Sequence, residues 1–212
     1  MKKNFKTYVA LFLLVLTLIG KPIITHAAVN SNAKVTNFDS VSGPMTFEQM
    51  IRYYAQVAEC SYEEALLNFS KTSAMNSKSS DTYRILSVIL DVDPGYKPKI
   101  DFYCETSESG SYWGILSVYS VQLDRRYSTS VNPNLETTKQ FNGSIDTWLR
   151  NAYTIEYIIN GDFFNNGTTS VTGEFGAEIG IGESAKVTYG ASVTVTSNHY
   201  KYFYYSERKR FQ

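Results

Sequence analysis

The chain has 212 residues, 43% of them hydrophobic and 15% aromatic, and its 20 basic groups balance its 20 acidic ones. That length and apolar content suit one core-forming domain. Without a surplus of Lys and Arg this balance disfavours the broad positive surface that non-specific phosphate binding needs, so nucleic acid is not an expected partner.

Residues 1–27 read as an export signal: Lys2, Lys3 and Lys6 precede the apolar run TYVALFLLVLTLIG, and Thr25-His26-Ala27 ends on a small residue. The run is short for a membrane anchor and is followed by Gly20 and Pro22. The expectation is therefore a secreted protein whose residues 28–212 form one domain. Cleavage removes four lysines and no acid, which leaves 16 basic against 20 acidic groups. Seventeen tyrosines, with many Thr, Val and Ile, favour sheet over helix.

Residues 45–70 predict a helical hairpin. Thr46-Phe47-Glu48-Gln49 and Ser61-Tyr62-Glu63-Glu64 both have capping-box spacing. Phe47, Met50, Ile51, Tyr54, Val57 and Ala58 follow the first box at helical intervals, and Ala65, Leu66 and Phe69 follow the second. Such a pair is expected to cover a sheet. A polar linker at 71–80 leads into a β-rich part, residues 81–205. Leu86, Val88, Leu90 and Val92 alternate, Asp93-Pro94-Gly95 turns, and Ile100, Phe102 and Cys104 alternate again. SYWGILSVYSVQLDRRY is apolar on both faces and predicts a strand buried between layers. The stretch from Ser128 to Gly143 reads as a long loop, with one helical turn at Ser144 to Asn151. TIEYIINGDFF is a further strand, closed by the turn signal Asn165-Asn166-Gly167. The predicted class is α+β, mostly β: a helical hairpin on an antiparallel sheet or sandwich that ends in a long amphipathic hairpin.

That hairpin is the stretch from Thr168 to Ser197. Odd positions from Val171 to Ile181 and from Ala185 to Val195 are apolar, glycine or tyrosine, and the loop Gly182-Glu183-Ser184 joins them. The register this implies sets Ile181 opposite Ala185, Ile179 opposite Val187, Phe175 opposite Ala191 and Val171 opposite Val195, with every apolar position on one face. Each strand would have 11 residues, about 36 Å long, which when tilted reaches the roughly 25 Å apolar band of a membrane barrel. Length, apolar face and small-polar opposite face are similar to the insertion hairpins of secreted β-pore-forming toxins of the aerolysin type. The resemblance implies that Val171, Phe175, Ile179, Ile181, Val187, Val193 and Val195 face membrane. A packed hairpin inside a sandwich alternates in the same way.

The final segment HYKYFYYSERKRFQ combines Tyr202 and Tyr204 with Arg208, Lys209 and Arg210. It reads either as a surface for anionic lipid, teichoic acid or glycan, or as a last strand with a solvated basic end. Cys60 and Cys104 are the only cysteines. In an exported chain they are expected to pair, stapling the helical hairpin to the sheet and contributing about 4 kcal/mol.

Catalytic and metal patterns are weak. After cleavage His199 is the single histidine, so a His-rich zinc site is excluded, and the cysteines lack zinc-ribbon spacing. No GxSxG elbow occurs, and Ser206-Glu207-Arg208-Lys209 matches SxxK at the chain end rather than at the start of a core helix. Glu174 and Glu178 would lie about 13 Å apart along a strand, too wide for paired-carboxylate glycoside hydrolysis. Asp91 and Asp93 lack the further ligands of a calcium loop. No metal and no cofactor is expected. The resulting expectation is a secreted, non-enzymatic, bacteriocin- or toxin-like protein acting on a bacterial membrane. A soluble module bound to a cell-wall polymer or glycan is the alternative, and an unmarked hydrolase comes third.

Overall fold

Both capping boxes form. In the computed structural model, which describes residues 39–70, 81–128, 136–173, 178–193 and 198–211, the Thr46 hydroxyl accepts from the Gln49 amide at 3.3 Å while the Gln49 side chain accepts from the Thr46 amide at 2.9 Å. Ser61 and Glu64 repeat the exchange at 3.1 and 2.9 Å. These caps satisfy amides that the first turn leaves without partners. They start α1 (Phe47–Ala58) and α2 (Tyr62–Ser70). Glu59, left-handed at φ 55°, ends α1 and reverses the chain.

Sheet I comprises β1 (Ser40–Val41), β2 (Thr82–Ile89), β3 (Lys99–Ser109), β4 (Tyr112–Asp124) and β10 (Ile179–Gly180), in the order β1-β2-β3-β4-β10. Sheet II comprises β7 (Gln140–Asn151), β8 (Thr154–Phe164), β9 (Thr168–Gly173), β11 (Ser184–Ser192) and β12 (His199–Arg210), in the order β12-β8-β7-β11-β9. Strands β5 (Arg126–Ser128) and β6 (Glu136–Thr138) form a separate two-stranded ribbon whose Tyr127 joins the core. All pairings are antiparallel. The fold is α+β, mostly β.

The two sheets close on one core. Leu86, Val88, Ile100, Phe102 and Val118 of sheet I meet Phe141, Ile145, Leu149, Ile155, Tyr157, Phe163 and Val187 of sheet II. The other face of sheet I is covered by the helices, where Met50, Ile51, Tyr54, Ala65 and Phe69 pack on Tyr83, Ile85, Tyr103 and Tyr119. Strands β3 and β4 are largely buried on both faces because both faces are covered. Beside this second core, Lys99 Nζ lies 3.1 Å from Asp101 and 3.7 Å from Asp124 and donates to the Tyr53 hydroxyl at 2.6 Å. Burial works against the Lys99 charge. Asp101, Tyr53 and Asp124 outweigh it and hold the amine above its ordinary pKa.

Four sequence expectations are corrected. The stretch from Ser128 to Gly143 is not one long loop, since it holds β6 and the start of β7, and residues Ser144 to Asn151 are not a helical turn but the rest of β7. The cysteines are free: Cys104 lies in the core between the sheets, whereas Cys60 lies on the opposite side of sheet I against the helices. Both faces of β3 are buried, so an apolar pattern could not tell which of them Cys104 occupies. The stretch from Thr168 to Ser197 does not keep one hairpin register. Val171 pairs with Tyr189, and Ile179 leaves sheet II to pair with Val118 of β4. Inter-sheet packing wins because the buried Ile179 completes the core between the sheets. The expected export signal at 1–27 and the expected linker at 71–80 lie outside the described residues.

Candidate functional site

Of the four principal sheet faces, two form the central core and one lies under the helices. The fourth, the outer face of sheet II, is covered by no element among the described residues. Alternation along its strands decides what stands there. Each inward Phe141, Ile145, Ile155, Tyr157, Ile159 or Phe163 leaves a neighbour pointing out.

Register aligns these outward residues in rows across the sheet. Tyr204 faces Asn160, which faces Ser144, which faces Thr188. On one side of that row Tyr202 faces Asp162 and Asn142. On the other, Ser206, Ile158, Asp146 and Lys186 are aligned, followed by Arg208, Glu156, Trp148 and Ser184. Tyr202 and Tyr204 are 55% and 56% exposed, high for aromatic side chains on a strand.

The two ends of the face differ in chemistry. At one end Glu156 accepts from Arg150 at 3.1 Å and from Arg208 at 2.7 Å, and the Arg150 guanidinium lies 5.5 Å from the centre of the Trp148 ring. Hydrogen bonds from Arg150 and then Arg208 hold the Glu156 carboxyl below its ordinary pKa. An ionised, doubly held carboxylate is suited to fixing two arginines and unsuited to donating a proton at neutral pH. At the other end the Tyr202 hydroxyl donates to Asn160 Oδ1 at 2.9 Å, and His199 Nε2 lies 2.8 Å from Asp162 Oδ1 with its ring edge-on to Phe164. Tyr202 and Tyr204 are about 6.6 Å apart along their strand, and neighbouring strands lie about 4.8 Å apart. The site is thus a shallow plate of aromatic rings fringed by amide, carboxylate and hydroxyl groups.

Of the residues singled out from the sequence, Tyr202, Tyr204, Arg208, Lys209 and Arg210 all lie on β12. Tyr202, Tyr204 and Arg208 are on the outer face, while Lys209 is turned the other way and bonded to Asp39. Among the membrane-facing candidates, Ile179 and Val187 are core residues, and Val171, Ile181 and Val193 are exposed. Phe175 and Val195 lie outside the described residues. The rest of the face, Asn142, Asn160, Asp162 and Trp148, escaped the sequence reading. Its only signal was the polar phase of the strand 154–164, and reading 144–151 as a helical turn hid the strand beside it. Compared with known proteins, the chain matches no family model, no curated protein and no solved structure.

Proposed function

We propose that this protein is a secreted, non-enzymatic binding module that holds a polysaccharide of the bacterial cell envelope on the outer face of sheet II. The observation that carries the reading is the uncovered plate itself, with Tyr202 and Tyr204 exposed beside Asn160, Asp162 and Asn142. A sugar ring has an apolar C–H face and a rim of hydroxyls. Aromatic faces with polar groups at their margins match both parts, since Tyr offers an apolar body and a polar tip. An open sheet face suits an extended polymer because no wall limits chain length.

Co-sedimentation with purified peptidoglycan and a glycan array test this. Wild-type protein should bind, and the double variant Tyr202→Ala/Tyr204→Ala should lose at least tenfold in affinity at unchanged melting temperature. Wild type that binds no glycan, or a double variant that binds like wild type, sinks the reading.

A membrane-acting role is the second reading, favoured by the exposure of Val171, Ile181 and Val193. It requires β10 and β11 to leave partners they already have, because Ile179 and Val187 are buried. Dye release from anionic vesicles, with no glycan binding, would select it over the first.

A further inference from the structure

The edges of the two sheets are unequal. Sheet I ends in β1 and β10, of two residues each, and β9 gives sheet II a six-residue edge. Short edges of this kind are how soluble sheets avoid pairing with other chains. The remaining edge is β12, with twelve residues. Its free side can be read from one bond. The Phe211 amide donates to the Tyr153 carbonyl at 2.9 Å, so the backbone groups of Lys209, Glu207, Tyr205 and Phe203 point to β8, while those of Arg208, Ser206, Tyr204 and Tyr202 point away. No strand among the described residues pairs with that side.

The inward face of β12 is also incompletely covered. Sheet I ends near it in the short β1, where Asp39 reaches Lys209. Phe203 and Tyr205 are left partly exposed, their rings stacked at 6.2 Å and 23°. Two charged residues flank this pair on the same face. Lys201 is bonded to the Val92 carbonyl, and Glu207 accepts from the Tyr157 hydroxyl at 2.7 Å.

We propose that β12 pairs antiparallel with β12 of a second copy, about a two-fold axis at Tyr204, making one continuous sheet from the two copies of sheet II. The axis position follows from charge. Centred on Tyr204, Ser206 lies opposite Tyr202, Phe203 opposite Tyr205, and Lys201 opposite Glu207 twice over, which adds two unlike-charge pairs and two aromatic pairs. A shift of the axis to Tyr205 sets Lys201 against Lys209. A shift to Phe203 sets Lys201 against Tyr205 and leaves Glu207 facing His199. Inward charges on an edge normally repel partners; here the Tyr204 register is the one of these three that pairs Lys201 with Glu207. A two-fold contact of this kind is self-complementary and closes at two copies. It also places Tyr202 and Tyr204 of both copies side by side on one outer face.

Sedimentation velocity on the purified protein without glycan tests the dimer apart from ligand binding. Wild type should sediment at twice the chain mass and dissociate on dilution. Lys201→Glu sets Glu against the second copy's Glu207 and should weaken association at least tenfold. Lys201→Glu combined with Glu207→Lys restores unlike pairs and should recover it. Ser206→Pro removes an outward amide and should give monomer with the circular dichroism of wild type. Wild type that stays monomeric at about 100 μM, the concentration of a weak complex, overturns the proposal. So does a folded Ser206→Pro protein that dimerises like wild type.

Discussion

Lys99 is the side chain whose loss should cost most for its size. It sits among Asp101, Asp124 and Tyr53, and Asp101 has no exposure to solvent. Lys99→Met keeps the aliphatic stem but strands a buried carboxylate, which destabilises by about 3 to 5 kcal/mol. The expected result is a large fall in melting temperature at pH 7, partly relieved at acid pH where Asp101 takes up a proton. Arg84 and Glu108 show the opposite dependence. Their bonds of 2.8 and 2.9 Å hold the Glu108 carboxyl below its ordinary pKa, with Thr106 adding a third bond. A depressed carboxyl adds stability above its unfolded pKa, about 4.3, and loses it as pH falls through the folded value. Thermal melts from pH 6 to pH 3 should therefore show a loss in wild type that Glu108→Gln reduces by about 1 kcal/mol.

Ile179 tests the placement of a whole element. It is 3% exposed, and β10 contributes only two residues to sheet I. Ile179→Arg should unfold the protein or lower its melting temperature sharply, because a buried unpaired charge is poorly tolerated. Retained stability with lost membrane activity would instead point to a lipid-facing role. The same element marks where sequence reading stopped. Capping boxes were legible because a cap is made by residues three positions apart. The alternation of 168–197 was legible too, yet it says only that one side is apolar, and both a hairpin mate and a second sheet meet that requirement. For β7 the signal itself was ambiguous. Its inward residues Phe141, Gly143, Ile145, Thr147 and Leu149 include a glycine and a threonine that break the apolar run, while Ile145, Trp148 and Leu149 mimic helical spacing. Gly143 and Gly161 face each other there, and a Cβ on either would come within 2.8 Å of the Phe141 ring. A cross-strand need of this kind has no local trace.

At the scale of the molecule the layers follow from which faces are apolar. Sheet I is buried on both faces and lies inside; sheet II is buried on one face and lies outside. Of this layering only the buried strand within SYWGILSVYSVQLDRRY was readable, because the apparent loop and helical turn hid β7. The plate on sheet II was not, because its residues come from three strands, and only register sets Tyr204 beside Asn160 and Ser144. Tyr202 and Tyr204 support no core residue, so the variants that remove glycan binding should leave stability intact. The side chains that most affect melting should in turn leave binding unchanged in any protein that still folds.

The passage of the chain from β9 in sheet II to β10 in sheet I and back to β11 also bears on the rate at which the protein comes apart. Ile179 pairs with Val118, a partner far away in sequence, and such contacts form late because the intervening loop must close first. Once formed, the crossing acts as a stitch through both layers, and the sheets cannot part until it is drawn out. Ile179→Ala should accordingly speed unfolding several-fold and leave the folding rate almost unchanged, the pattern expected where a contact is absent from the transition state. Stopped-flow chevrons in urea read both limbs, and a mutation that slowed refolding instead would place the stitch among the first contacts made.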